Sequence, residues 1–562
     1  MSNFIIFFSF FYILLLSVVG YGMFFQNLCF GGIKNMNDPK VIYTGFYGLF
    51  AITFISIISS LFVPHNFIHN ILLHLIGVLF FIFIKIENKK DYLKIIFLIS
   101  IAVFSALIIS KTHDDFSYYH LPVTKYLTEQ KVIFGMGILG HGYKLLSSLF
   151  FLNSSFYLPF IEYFSFHFSL LFFLIFFNFF LLKEIMYKGT HEVVKFLYLF
   201  AFIFFNLSFN RIAEFGTDKA GQLLIVILII KIFQHICYDN KKFKLSNILL
   251  LLPLLGFCIS LKTYFLPYIL IGLTIILLDS KLIKSAKFLF HSRSFYFLLI
   301  FLLVYFSHHF ISTGCIISPL SFTCLGDNLY WADDPQEFKD LAQWLEQWSK
   351  AGAGPGFRVD DPLVYIQNLN WLSGWIDRYF FTKVLDTLGL LVLVFFTSLL
   401  LFKNFKSNSM MFIVNKKVSF FYLIILAIFF IWFLKHPQLR YGGYSIVFLT
   451  LSIPIALIYQ KMKNKTFFNK KLKYLIILIV IMFNIKNINR INNEFQRADL
   501  YKFDNFPFFA IKEKEFISEK SSSGLIFYRT TGHCWNTPSP CVAHLSGKLQ
   551  VKKDNGYYFF YR

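Results

Sequence analysis

Charge is what this sequence has least of. Only 15% of its 562 residues are Asp, Glu, Lys or Arg, where a soluble globular chain carries about a quarter. So few ionised groups cannot cover a water-exposed surface. With 57% hydrophobic residues and a mean hydropathy of +0.62, the composition is that of a membrane protein. Acids are the scarcer sign: 30 Asp and Glu stand against 53 Lys and Arg, a formal net charge of +23. That excess does not describe a nucleic-acid binder. The lysines sit in short loops between apolar runs, where positive charge holds loops on the cytoplasmic side. No cleavable leader is expected either. The run from Phe4 to Phe25 has no basic stretch before it and no small-residue cleavage site, so it is expected to remain as a span. No repeat of about 20–50 residues and no inverted halves are visible.

What the chain has is apolar runs. A span needs about 20 apolar residues. The sequence offers about fourteen such cores: 4–25, 41–63, 70–86, 93–110, 156–182, 193–209, 219–237, 246–261, 264–279, 295–312, 384–402, 419–434, 443–460 and 474–488. The expected fold is an all-α polytopic membrane protein with about 14 transmembrane helices. With that count, every lysine-rich loop falls on one side, among them Lys89–Lys90, Lys241–Lys242, Lys416–Lys417 and Lys470–Lys471. By the positive-inside bias this side is the cytoplasm. The longer segments 111–155, 210–218, 313–381, 435–442 and the tail from about 489 then lie outside. Residues 1–92 read as accessory N-terminal spans, 93–488 as the principal transmembrane domain, and 489–562 as a cap outside the membrane.

The seven cysteines agree with this sidedness. Cys315 and Cys324 share one outer loop, and Cys534 and Cys541 share the tail, in TGHCWNTPSPC. An oxidising outer compartment permits two bridges; free thiols or a metal site are the alternatives. The stretch QEFKDLAQWLEQWSK within 335–350 predicts an amphipathic helix, and Trp371 and Trp375 are expected at the lipid interface. GLIFYR and the final YYFFYR are strand-like, which makes the cap a small αβ or β unit.

Ionisable residues near membrane depth mark function. Asp114, Asp115, Glu162, Arg211, Glu214, Asp218, Lys262, His308, His309, Asp386 and Arg440 all fall at outer ends of spans. Lys231 is a mid-span exception, placed inward where it can snorkel. An ion pathway would spread such groups across the bilayer; an enzyme acting on a lipid headgroup would gather them at one face. The blander reading is that charges collect where spans end. The richest stretch is KTHDDFSYYHLP, from Lys111 to Pro122. Either aspartate is a plausible helix N-cap. Two adjacent carboxylates also repel, so a basic group can hold one ionised while the other accepts a proton, as a general base must. The following FSYYHLPVTKYLTEQ and GYKLLSSLFFL predict amphipathic surface helices.

On these residues the chain resembles the type C glycosyltransferases, multi-span enzymes that use polyprenyl-phosphate sugars. Their first outer loop opens with an acidic pair, runs through aromatic residues into a surface helix, and reaches a Gly/Pro turn before a second helix; the region after Gly135 here lacks the usual paired prolines. Here that order is HDDFSYYHLP, FGMGILGHGY and KLLSSLFFL. EFGTDKAGQLL resembles their later acidic loop, SLKTYFLPYIL their Leu-Lys step, and HPQLRYGGYSIVFLTLSIP their late Arg-Tyr. The resemblance covers roughly 93 to 460, although here three spans precede the acidic loop. HDDFSYYHLP and HCWNTPSPC also look like phrases of an uncharacterised family of bacterial multi-span proteins.

The resemblance implies an inverting transfer of a sugar from a polyprenyl-phosphate donor to an envelope glycan or lipid. The active site would face the periplasm or exterior of a bacterial cytoplasmic (inner) membrane. Asp115 or Asp114 would take the acceptor proton, and Lys262, Arg440 and Arg211 would bind the donor phosphate. Asp218, His113, His120 and Tyr441 would position substrate, and a divalent cation at the acidic pair is compatible with the pattern. Other readings are a surface polysaccharide polymerase or ligase, a lipid or solute transporter, and a non-catalytic envelope assembly protein.

Overall fold

The computed structural model describes residues 2–32, 38–108, 115–187, 189–190, 192–208, 216–237, 249–272, 287, 289–352, 359–400, 416–460, 468–496, 507–508, 514–542 and 549–562. Helices stand at all fourteen apolar segments. Among the described residues, nine are long and apolar enough to cross a membrane: 3–30, 39–59, 162–186, 217–236, 293–313, 372–399, 416–435, 439–459 and 471–496. Phe67–Phe83, Val193–Ser208, Leu252–Leu261 and Thr263–Gly272 are apolar but shorter. Lys89–Val103 opens on charged residues. The chain is therefore a helical membrane protein, with a small sheet region at its C-terminus.

The helix Phe168–Met186 forms the buried centre, lined almost entirely by Phe, Leu and Ile. Outer helices leave Leu303, Leu423 and Tyr474 exposed, the faces a bilayer would cover. At the N-terminus glycines set the spacing. A Cβ on Gly48 would lie 1.8 Å from the Val18 carbonyl oxygen, and one on Gly22 1.8 Å from that of Thr44. These contacts let Ser2–Phe30 and Thr44–Ser59 meet backbone to backbone, the role small residues play where lipid tails are as apolar as the helices. Several polar groups inside the bundle are paired. Asn178 and Asn206 exchange amide hydrogen bonds of 3.0 and 2.7 Å. Lys231 does not snorkel: its Nζ lies 2.6 Å from Glu184 Oε1.

One end of the bundle carries the 115–155 and 313–381 segments and the cap. The turn Phe116–His120 runs into the helix Leu121–Glu129, but this helix is covered by the cap rather than lying open on a surface. The predicted amphipathic helix is Pro335–Lys350. Asp334 caps it by accepting from the Gln336 N–H at 2.8 Å, and Pro335 fills the first turn, where no N–H is needed. Trp371 and Trp375 are not interfacial. Both are buried against Phe433, and the Trp375 indole donates to the Pro437 carbonyl at 2.8 Å. They clamp the loop onto the next span instead of meeting lipid.

The cap is β among the described residues. Ile517–Lys520 pairs antiparallel with Ile526–Arg529, which pairs parallel with Cys541–Val542. Gln550–Asp554 and Tyr557–Tyr561 form a hairpin whose two turn residues, Asn555 and Gly556, have φ of 47° and 79°. Asn-Gly is the pair that adopts such a turn most readily. The hairpin extends onto Phe134, whose N–H donates to Tyr558 and whose carbonyl accepts from Phe560, each at 2.9 Å. Gly135 follows with φ +72°; a Cβ there would sit 2.4 Å from the Phe560 oxygen. Both expected bridges are present, Cys315–Cys324 and Cys534–Cys541.

Candidate functional site

Three interruptions of regular helix build the site. The first is at Leu439–Gly443, where the chain enters a span through a wide turn with Gly442 at φ +86°. Gly442 permits this backbone, since it lacks the Cβ that would clash. The turn is held from several sides. Gln222 donates to the Arg440 carbonyl at 3.0 Å and accepts from the Ser445 N–H at 3.2 Å. The Leu439 N–H donates to the Tyr379 hydroxyl at 2.9 Å. Arg440 is thereby aimed: its Nη2 donates to the Tyr441 hydroxyl at 2.7 Å and its Nη1 lies 3.4 Å from Asp115 Oδ2. Its Nε–H is buried with no partner among the described residues.

The second interruption is at Lys262. The helix Leu252–Leu261 stops there with extended backbone, and a tighter helix, Thr263–Tyr268, carries Pro267. Irregular backbone at membrane depth is tolerated where protein buries it or where it lines a polar cavity. Lys262 Nζ lies 3.0 Å from Asp218 Oδ1 and donates to Thr217 Oγ1 at 2.9 Å. Asp218 is in the first turn of Thr217–Cys237, where the helix dipole favours a carboxylate.

The third is the wide turn Phe116–His120 after Asp115. Wide helical turns of this kind are rare and concentrate at functional sites. Tyr119, within it, reports the company it keeps. Burial pushes its phenol well above the ordinary value; Asp115, Asp218 and Tyr441 add to the rise and Arg440 opposes it. One side chain thus feels charges from the 115, 218 and 440 segments. Tyr264, two residues after Lys262, stacks on Tyr441 with ring centroids 4.5 Å apart. Asp115, Asp218, Lys262, Arg440 and Tyr441 therefore gather at one place. The four charges form two oppositely charged pairs and keep between a fifth and a third of their side-chain surface open.

His120 is buried beside Tyr119 and Phe150, and its ring Cε1 lies 3.7 Å from where a Cβ on Gly216 would sit. Asp114, His113 and Arg211 lie outside the described residues. His308 and His309 are elsewhere, buried in the bundle, His308 within 2.9 Å of the Ile57 carbonyl oxygen. Cys315–Cys324 is in the other loop. Among the described residues no three His, Cys, Asp or Glu side chains form a ligand set for a metal ion. Gln222, Tyr119, Tyr264 and Thr217 were not singled out by sequence. Gln222 carried a signal, an amide in an apolar helix one turn after Asp218; the tyrosines carried none among 31.

Fold and site together define a helical membrane protein with paired charges gathered where its spans end. The chain belongs to the family described as Domain of unknown function (DUF8201), whose model matches residues 4–448. That match includes Asp115, Asp218, Lys262 and Arg440 and stops short of the cap. No curated protein and no solved structure matches the chain.

Proposed function

We propose that this protein transfers a sugar from a polyprenyl-phosphate donor to a hydroxyl of an envelope glycan or lipid, at the outer face of a bacterial cytoplasmic membrane. The reading takes all fourteen apolar segments as spans and the lysine-rich loops as cytoplasmic. The observation that carries it is the gathering of an acid and two cations from segments far apart in sequence: Asp115 on Arg440, and Lys262 on Asp218.

In the proposed step the acceptor oxygen attacks the anomeric carbon from the face opposite the lipid phosphate, and the centre inverts. The bond from that carbon to the phosphate oxygen breaks, and its electron pair leaves with the polyprenyl phosphate. The acceptor proton passes to the Asp115 carboxylate. Arg440 and Lys262 meet the charge that grows on the phosphate. Arg440 suits this because its planar fork can hold Asp115 and a phosphate oxygen at once; its Nε–H, without a partner among the described residues, is a donor such an oxygen would satisfy. Tyr441 and Gln222 hold the guanidinium and its turn, and Asp218 with Thr217 orients Lys262. A divalent cation, if used, would bind at Asp114 and Asp115.

The test is a strain lacking the protein, in which polyprenyl-linked sugars are extracted and weighed by mass spectrometry. The wild-type gene is expected to clear the lipid that accumulates. Asp115→Asn, at equal membrane abundance, is expected to clear it at least about a hundredfold more slowly. Clearance at the wild-type rate would remove Asp115 from the mechanism, and no accumulation at all would overturn the transferase reading.

A further inference from the structure

The motif HCWNTPSPC lies in the cap, more than four hundred residues after Asp115 and beyond the family match. Yet its loop runs along the helix that Asp115 begins. His533 Nδ1 is 2.9 Å from Ser117 Oγ, and the Trp535 N–H donates to the Ser117 carbonyl at 3.1 Å. Further on, Lys125 Nζ donates to the Asn536 carbonyl at 2.6 Å and to its Oδ1 at 2.9 Å. At the far end, the Ser539 N–H donates to Glu129 Oε2 at 2.7 Å. The Tyr118 and His533 rings are 5.3 Å apart, and Trp535 packs at the edge of Phe116.

The sequence explains why the helix needs this partner. In the wide turn, the Leu121 N–H reaches back to the Phe116 carbonyl. The next carbonyl, of Ser117, would pair in the same way with residue 122, but Pro122 has no N–H. Residue 122 therefore cannot serve the Ser117 carbonyl. The Trp535 N–H donates to it from the cap. Trp535 itself sits in a loop between two cysteines with little regular structure to hold it. The Cys534–Cys541 bridge closes that loop, and Cys541 ties it to the cap sheet beside Tyr528.

We propose that the bridged loop from His533 to Cys541 is a positioning element of the site. It fixes the turn that aims Asp115, so that the acid meets Arg440 only while Cys534–Cys541 is closed. His533 and Trp535 act through Ser117 and touch no substrate. This rests on the transferase reading for its effect on rate, but the docking itself can be measured without any substrate.

Full-length protein in lipid nanodiscs is followed by hydrogen exchange, with and without reduction, and as a Cys534→Ser/Cys541→Ser variant. Exchange over 116–129 is expected to rise at least about tenfold when the bridge is open, with Thr217–Cys237 unchanged. Unchanged exchange over 116–129, or an equal rise in both segments, would overturn the proposal. In the accumulation assay, His533→Ala and Ser117→Ala are each expected to slow clearance about tenfold, with no further loss when combined. His533→Asn, which keeps a hydrogen-bonding atom near Nδ1, should restore it. If Asp115→Asn abolishes clearance while the bridge variant and His533→Ala clear like wild type, this proposal fails alone. If no polyprenyl-linked sugar accumulates in the strain lacking the protein, the transferase reading fails, and the exchange data still decide whether the loop holds the turn.

Discussion

Asp333 shows what a single side chain can carry away from the proposed site. It is buried, and neither of its oxygens has a hydrogen-bond partner among the described residues. Lys144 Nζ is 3.7 Å away, too far for a hydrogen bond, and is drawn to Glu337, which also holds Arg562 at the chain's end. Burial pushes the Asp333 carboxyl up to about 7 despite Lys144. As pH rises from its ordinary 3.8 towards 7, the unfolded chain releases this proton and the folded chain keeps it. Folding is therefore opposed increasingly across that window, and the loss levels off above it. Asp333→Asn is expected to raise the melting temperature at neutral pH and to flatten its dependence on pH over the same window. A variant that melts below wild type at pH 7 would show that the ionised carboxylate holds Lys144 after all.

At the scale of elements, the residues proposed to act on substrate sit where helices are interrupted. Arg440 is in a wide turn that Gly442 allows, Lys262 at a break ahead of Pro267, Asp115 before a wide turn that runs into Pro122. Parts of these breaks are legible: Gly-Gly after Arg-Tyr and Pro after Leu-Lys are visible punctuation. That Gln222 would brace the Arg440 turn is not, because the pair is 218 residues apart and depends on how two helices pack. Where elements run unbroken, glycine sets their distance. Gly48→Leu is expected to force Ser2–Phe30 off Thr44–Ser59, since even a Cβ would overlap the Val18 carbonyl. Loss of folded protein by size-exclusion in detergent would register it, whereas Gly389→Leu, with open space around it, should elute like wild type.

For the whole molecule, the cap, both bridges and the charged cluster share one end of the bundle. The strand contact of Phe134 with the C-terminal hairpin and the contact of Ser117 with the His533–Cys541 loop fix this. Sidedness can therefore be tested at any exposed point of that end. In a cysteine-free background, a cysteine replacing exposed Leu325 is expected to react with a membrane-impermeant maleimide in cells whose outer barrier is opened but whose inner membrane is intact. Labelling only after lysis would place the site in the cytosol and end the proposed function. The lysine loops alone had suggested this orientation, because loop charge is a local property.

Composition, hydropathy and spacing by themselves determined a helical membrane protein, the places of its helices, two close cysteine pairs on one side and a strand-forming tail. Each of these depends on residues near one another in sequence: an apolar run, a spacing of a few residues, an alternation. Only the tertiary structure decided that Asp115 meets Arg440 and Asp218 meets Lys262, that Trp371 and Trp375 are buried, and that the cap reaches back to Ser117. Those contacts arise from helix packing between distant segments, where a side chain's partner is set by the rotation and depth of whole elements.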